Sequence, residues 1–437
     1  MKFTKFGKAL LMSALSAAVV LSVTSCIQSY TVGYLYVTGT VTAQTSGNGI
    51  IGGFKIDHNT GKLTPINGLP VSSGGANPGR AVLLAGSRFL YVLNRGVNAA
   101  GGSVCTTANP CLNSNITQFA VGGNGILTAQ ETFFSQGINP FRILADATGS
   151  YLYVLDHDSP DNTQCHLALG SAATTCGDIT AFAINQTTGR LQLIVNAQVT
   201  VANGAALTYF PVPANPIDFL QSGGYFLTLS GTPATGDSVF PYSASNGQLT
   251  VSQNSSQPLN TKQATAIVSG AGYVYVLDDE APSPPNPTQA SSQILSFTVG
   301  SGGALQAQTS GIVPDDPTLS NPIYLLVESK GKFLYLANQG NNTNTTNSQS
   351  GLTGYVIDPS QHTLSFTLPS TFGTGAGPQC LVEDPSDQFI YTANFNDSTV
   401  TGRSVDPNTG ELNNLRVESS YPLTGPATWC LVDGRTD

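Results

Sequence analysis

Charge is scarce in this chain. Asp, Glu, Lys and Arg make up 9% of its 437 residues, against about a quarter in ordinary soluble domains. Sixteen basic residues face 25 acidic ones, for a formal net charge of −9. No basic patch forms, which excludes a nucleic-acid partner and a basic lipid-binding surface. Long helix-period runs rich in Ala, Glu, Lys and Leu are missing after the first 25 residues. No Cys-x-x-Cys or close Cys/His pair suits zinc, and no Gly-x-Ser-x-Gly or phosphate loop occurs. No metal and no cofactor is expected. Glycine is abundant, with 47 residues, and Ser, Thr and Asn are frequent. Such a composition belongs to an all-β, turn-rich, exported protein.

Residues 1–26 read as an address rather than structure. Lys2, Lys5 and Lys8 precede an apolar run from Ala9 to Val23, and then Val-Thr-Ser-Cys. The run is too short for a comfortable transmembrane helix. The ending resembles a bacterial lipobox, which would make Cys26 the lipidated N-terminus. An ordinary signal peptide cut nearby is the alternative. The expected location is the bacterial cell envelope, on a lipid anchor. Ile27 and Gln28 follow the cysteine, with no Asp to retain the protein at an inner membrane, so the outer membrane is favoured. Residues 27–32 are expected as a tether and 33–437 as a single domain.

Six further cysteines suit an oxidising compartment. Cys105 and Cys111 lie in one long loop, and Cys165 and Cys176 in another, where a staple limits loop disorder. Cys380 and Cys430 each precede Leu-Val at the same point of a repeat. They can pair only where two neighbouring strands approach closely enough.

That repeat sets the fold. An aromatic strand recurs as GYLYVTG, RFLYVLN, SYLYVLD, GYFLTLS, GYVYVLD, KFLYLAN and QFIYTAN. An apolar strand precedes it, often opened by Asn-Pro or Gly-Pro, a fitting place for proline. A strand of period two follows, as in ITAFAIN and LTGYVID. A turn such as NQTTGRL then leads into a fourth strand. Four strands repeated seven times predict a seven-bladed β-propeller, with strands A to D running outward from the tunnel. The chain starts on a strand B and stops after a strand A, ATWCLVDG. The C-terminal strand is therefore expected to complete the first blade and close the ring.

The pattern P-x8-G-x-x-L-Y-V-x-N … F-x-I-D-x-x-T-G-x-L resembles the lactonase family of seven-bladed propellers, over Gly33 to Asp437. That family includes 6-phosphogluconolactonase-like enzymes and carboxymuconate cyclase, and its repeat is shared with surface-layer propellers. The resemblance implies a small lactone or carbohydrate as partner, and hydrolysis by water attack. A non-enzymatic envelope propeller that binds glycan, peptide or protein is the alternative. A monomer is expected. Family lactonases carry a motif resembling Gly-Pro-Arg-His, then Asn-Glu; here Ile323, Tyr324 and Gln339 occupy the Arg, His and Glu positions. Phe141 stands where a second signature expects His. Sialidase Asp boxes and quinone-type propellers need recurrent tryptophan, and Trp429 is alone.

Long insertions at 96–113, 157–177, 279–291 and 340–351 all fall on B–C loops, which marks one face for binding. Rare ionisable residues collect there. His157, between Asp156 and Asp158, is the candidate base. Arg142 and Arg95 are the candidate cations for an oxyanion. Arg80, like Arg142, follows Asn-Pro and could grip an acid group in bidentate fashion. Asp218 (in NPID), Asp156, Asp158 and Asp278 complete the binding candidates. Asp156 and Asp278 stand where other blades have Asn, so bonding of the turn backbone competes with a functional role. Asp278-Asp279-Glu280 reads either as a calcium site or as a solvated acidic turn.

Overall fold

The computed structural model describes residues 30–41, 47–84, 88–232, 235–252, 256–261, 263–279, 292–340 and 350–434. Seven antiparallel sheets, one per blade, follow one another around a ring. Their A strands are Ala427–Asp433, Pro78–Leu83, Ile138–Ala145, Pro216–Ser222, Ala264–Gly270, Pro322–Val327 and Pro378–Glu383, for blades 1 to 7. Each pairs with the aromatic strand B that was expected beside it, such as Phe89–Asn94 in blade 2 and Phe389–Asn394 in blade 7. Strand B is buried along nearly its whole length because sheets pack against both of its faces. The outer edge is interrupted at one level in every blade. Blades 1, 3, 4 and 7 have two short pieces paired with strand C, and blades 2, 5 and 6 have a register shift instead.

The ring closes as the repeat predicts. Strand B of blade 1, Thr31–Gly39, pairs with Ala427–Asp433, from Tyr34↔Asp433 to Thr38↔Trp429. It starts two residues before the expected Gly33. A chain of tyrosine bonds reinforces closure. At the central tyrosine of strand B, Tyr36 (in Leu-Tyr-Val) donates to Gly125 O of the next blade (2.8 Å), and Tyr335 (in Leu-Tyr-Leu) donates to Gly410 O (2.8 Å). Tyr91 donates likewise to Gly189 O. Tyr391 of the last blade donates to Gly61 O of the first (2.7 Å). The acceptor glycines all have positive φ, which a C–D hairpin needs and a side chain resists. Two separate elements of the repeat, Leu-Tyr-Val and Thr-Gly-x-Leu, are thus two ends of one inter-blade bond.

Three disulfides form: Cys105–Cys111, Cys165–Cys176 and Cys380–Cys430, with Cα–Cα distances of 5.2, 5.7 and 5.9 Å. The third corrects one expectation. Cys380 pairs with Ala393, whereas Trp429 pairs with the equivalent Thr38, so Cys430 lies one residue further along its strand than Cys380. Equivalent positions would point the same way around the ring. The one-residue offset turns the two side chains toward each other across the gap between blades 7 and 1.

Candidate functional site

Every A strand begins with a register shift, between Pro378 and Cys380 in blade 7, for example. Such bulges re-aim side chains and recur beside functional sites. The residue ahead of each proline is Asn77, Asn139, Asn215, Asn321 or Gly377, all with positive φ. Asn and Gly tolerate that conformation best, which is why they exchange there. The extra residues of six blades, including Phe141, Ile323, Gln379 and Thr428, line one central cavity of about 850 Å³ on the B–C loop face. The exits of the B strands add Arg95, Gln339 and Phe395, and the loop bridged by Cys105–Cys111 covers one side.

Arg80, Arg142 and Asp218 each lie two residues beyond the proline, in blades 2, 3 and 4. Shared register brings them together. Arg80 grips Asp218 through two bonds of 2.9 Å each, and Arg142 Nε donates to Asp218 Oδ1 at 3.2 Å. Asp218 is fully buried beneath them and also accepts from Phe219 N at 3.0 Å. The Arg80 guanidinium lies 4.7 Å from the Trp429 ring centroid, a cation–π contact. Trp429 in turn meets Tyr324 edge-on at 5.1 Å. Burial, and then the charge of Arg80, push Arg142 down to about 9, while Asp218 pulls it back up. It remains charged at neutral pH. Burial lowers Arg95 as well.

The other candidates stand apart from the cavity lining. His157 Nδ1 lies 3.1 Å from Asp158 Oδ1, and its ring centroid is 6.3 Å from that of Phe141, a residue of the cavity lining. Asp158 accepts from Thr107 Oγ1 at 2.7 Å and from Asn139 Nδ2 at 2.9 Å, tying the Cys105–Cys111 loop to the ring. Asp156 is fully buried and faces Asp178 across strands B and C. Ser135 Oγ donates to it at 2.7 Å. Burial raises both carboxyls, and for Asp178 the neighbouring charge of Asp156 raises it further, as in a pair that shares a proton. Asp278 is equally buried, accepting from Gln263 N (2.7 Å) and Gln293 Nε2 (2.7 Å). Glu280 and Cys26 lie outside the described residues, and no cluster of metal-ligand type occurs among those described.

Sequence reasoning missed Trp429, discounted because it is alone, and the buried Asp178. The positions that depart from the family motif have packing roles. Tyr324 supports Trp429, and Gln339 accepts from Asn321 at 2.8 Å.

The chain is a closed seven-bladed propeller with a cationic, aromatic-walled mouth. The comparisons narrow the class. The family described as Lactonase, 7-bladed beta-propeller matches residues 34–209 and 288–429, and the chain belongs to that family. No curated protein shows significant sequence similarity to it. Among solved structures, the periplasmic gluconolactonase of Pseudomonas aeruginosa superposes with a TM-score of 0.64 at 16% identity, covering 92% of this chain and 99% of that one. A proposed 6-phosphogluconolactonase of Bacteroides fragilis gives 0.63 at 15% identity, covering 92% and 98%. At such identities the likeness is one of fold.

Proposed function

We propose that this protein is a lactone hydrolase of the bacterial cell envelope, acting on a lactone that carries an acid group. One observation carries the reading: Arg80, Arg95 and Arg142 line the mouth, and among the described residues one carboxylate, Asp218, pairs with Arg80 and Arg142. A cationic, partly desolvated pocket binds an anionic substrate and stabilises the oxyanion formed as water adds to the lactone carbonyl. The ring C–O bond then breaks, and the leaving alkoxide takes a proton to give the hydroxy acid. Asp218 is committed to two guanidinium groups, which leaves His157, next to the lining residue Phe141, as the candidate base. The exported location is supported by three disulfides and by the periplasmic relative of similar fold. Attachment through lipidated Cys26 belongs to the same proposal; labelling with a fatty-acid analogue should be lost in Cys26→Ala.

The test is acid release from matched lactones with and without a carboxylate, corrected for spontaneous opening. Arg142→Ala should lower turnover of the charged lactone by about 10²-fold or more, and His157→Ala should lower turnover of both lactones by about 10²-fold. No turnover by folded protein on either lactone would refute hydrolysis.

A further inference from the structure

Arg95 is the group at the mouth that the fold explains least. It lines the cavity, its Nε is buried, and its side chain makes no hydrogen bond or ion pair among the described residues. A buried cation without a counter-ion is costly, and an arriving anion recovers that cost. Arg80 and Arg142 are already held by Asp218. Arg95 is therefore the cation left for a ligand's acid group.

Several polar side chains of the described lining are already bonded within the protein. Thr265 Oγ1 donates to Pro322 O, and Asn77 Nδ2 donates to Gly96 O. Gln339 Oε1 accepts from Asn321, and Thr428 shares a bond of 3.0 Å with Thr38. These side chains build the bulges. A polyhydroxylated ligand needs a partner for each hydroxyl that it buries. Beside Thr40, Ser103 and Gln379, the described surface that remains is apolar: Trp429, Phe141, Ile323, Phe395 and Val104. Phe395 is 38% exposed and Val104 73%, so the apolar wall extends outward to the rim.

We propose that the ligand of this mouth is a carboxylate on an aromatic or alkyl frame, not a sugar acid. Its acid group meets Arg95, and its frame lies between Trp429 and the Phe395–Val104 rim. The proposal rests on the anion-binding reading above and adds the chemistry of the frame.

Trp429 is the only tryptophan, and it stands in the site, so its fluorescence reports occupancy directly. The full chain is titrated with phenylacetate, hexanoate, gluconate and glucuronate, which all carry one negative charge. Phenylacetate and hexanoate should bind about 10-fold or more tightly than either sugar acid. The double variant Val104→Ser/Phe395→Ser should reduce that preference to about 3-fold or less, by weakening phenylacetate and hexanoate more than gluconate. Arg95→Ala should weaken all four by about 10-fold or more. Gluconate or glucuronate binding as tightly as phenylacetate would overturn the apolar frame and leave the anion site standing. No response to any of the four, in folded protein, would overturn both.

Discussion

Replacing Asp156 with Asn should stabilise the protein, and more so as pH rises. Asp156 and Asp178 are fully buried cross-strand partners, and both carboxyls are raised, by burial first. A raised carboxyl binds a proton in the native state that the unfolded chain releases near pH 4. Native protein then binds more protons than unfolded, so stability falls as pH rises. The slope is about 1.4 kcal/mol per pH unit for one shared proton, or about 2.7 kcal/mol between pH 5 and 7. The contribution is fully present below the unfolded value and is lost as pH climbs through the raised one. Blade 2 shows the remedy. Asn94 holds the same register and donates from Nδ2 to Asn115 Oδ1 at 2.9 Å. Asn at 156 can donate to the Asp178 carboxylate in the same way and still accept from Ser135, a charge-assisted bond worth about 1.5–3 kcal/mol. Urea unfolding of wild type and Asp156→Asn at pH 5, 6, 7 and 8, with disulfides intact, measures the difference. The wild-type curve should fall toward pH 7 and the variant curve should be flatter. Parallel curves, or a variant less stable at pH 7, would refute the shared proton.

Three further predictions concern the ring and the mouth. The Cys380–Cys430 bridge closes a separation of 50 residues, so the double Ala variant should lose about 4 kcal/mol by the chain-entropy relation. The Cys105–Cys111 double variant, with a separation of six, should lose a little over 2 kcal/mol; denaturant midpoints in the reverse order would count against ring closure as the main constraint. Tyr391→Phe removes the bond from the last blade to Gly61 of the first and should cost about 1 kcal/mol, read from urea unfolding. Asp218→Asn leaves Arg80 and Arg142 without their buried counter-ion and should destabilise by about 3–5 kcal/mol. Added carboxylate should restore part of that loss, and a variant as stable as wild type would show that the pair is not electrostatically coupled.

Much of the fold was legible because it is a repeat. Strand B is buried on both faces, so its aromatic pattern survives in all seven blades. Asn-Pro and Thr-Gly mark backbone positions with positive φ, where few residues fit. Ring closure followed from a chain that starts on one strand of a blade and stops on another. Arg80 and Arg142 were legible as sharing one register after Asn-Pro, whereas the place of Asp218 between them came from the structure. The Cys380–Cys430 pairing was not readable, because a one-residue offset relative to strand B decides which way a side chain points.

The sequence by itself determined the architecture, because period and turn chemistry act over a few residues and repeat seven times. It also determined the pool of scarce charges from which a site could be built. Only tertiary structure decided how those charges are used. It buried Asp156 against Asp178, set His157 beside Phe141, and left Arg95 in the mouth without a partner among the described residues. It also carried Trp429, near the end of the chain, to Arg80 of the second blade. The physical reason is that a bulge and a ring bring together residues from different blades, and local patterns carry no information on distances across a tunnel.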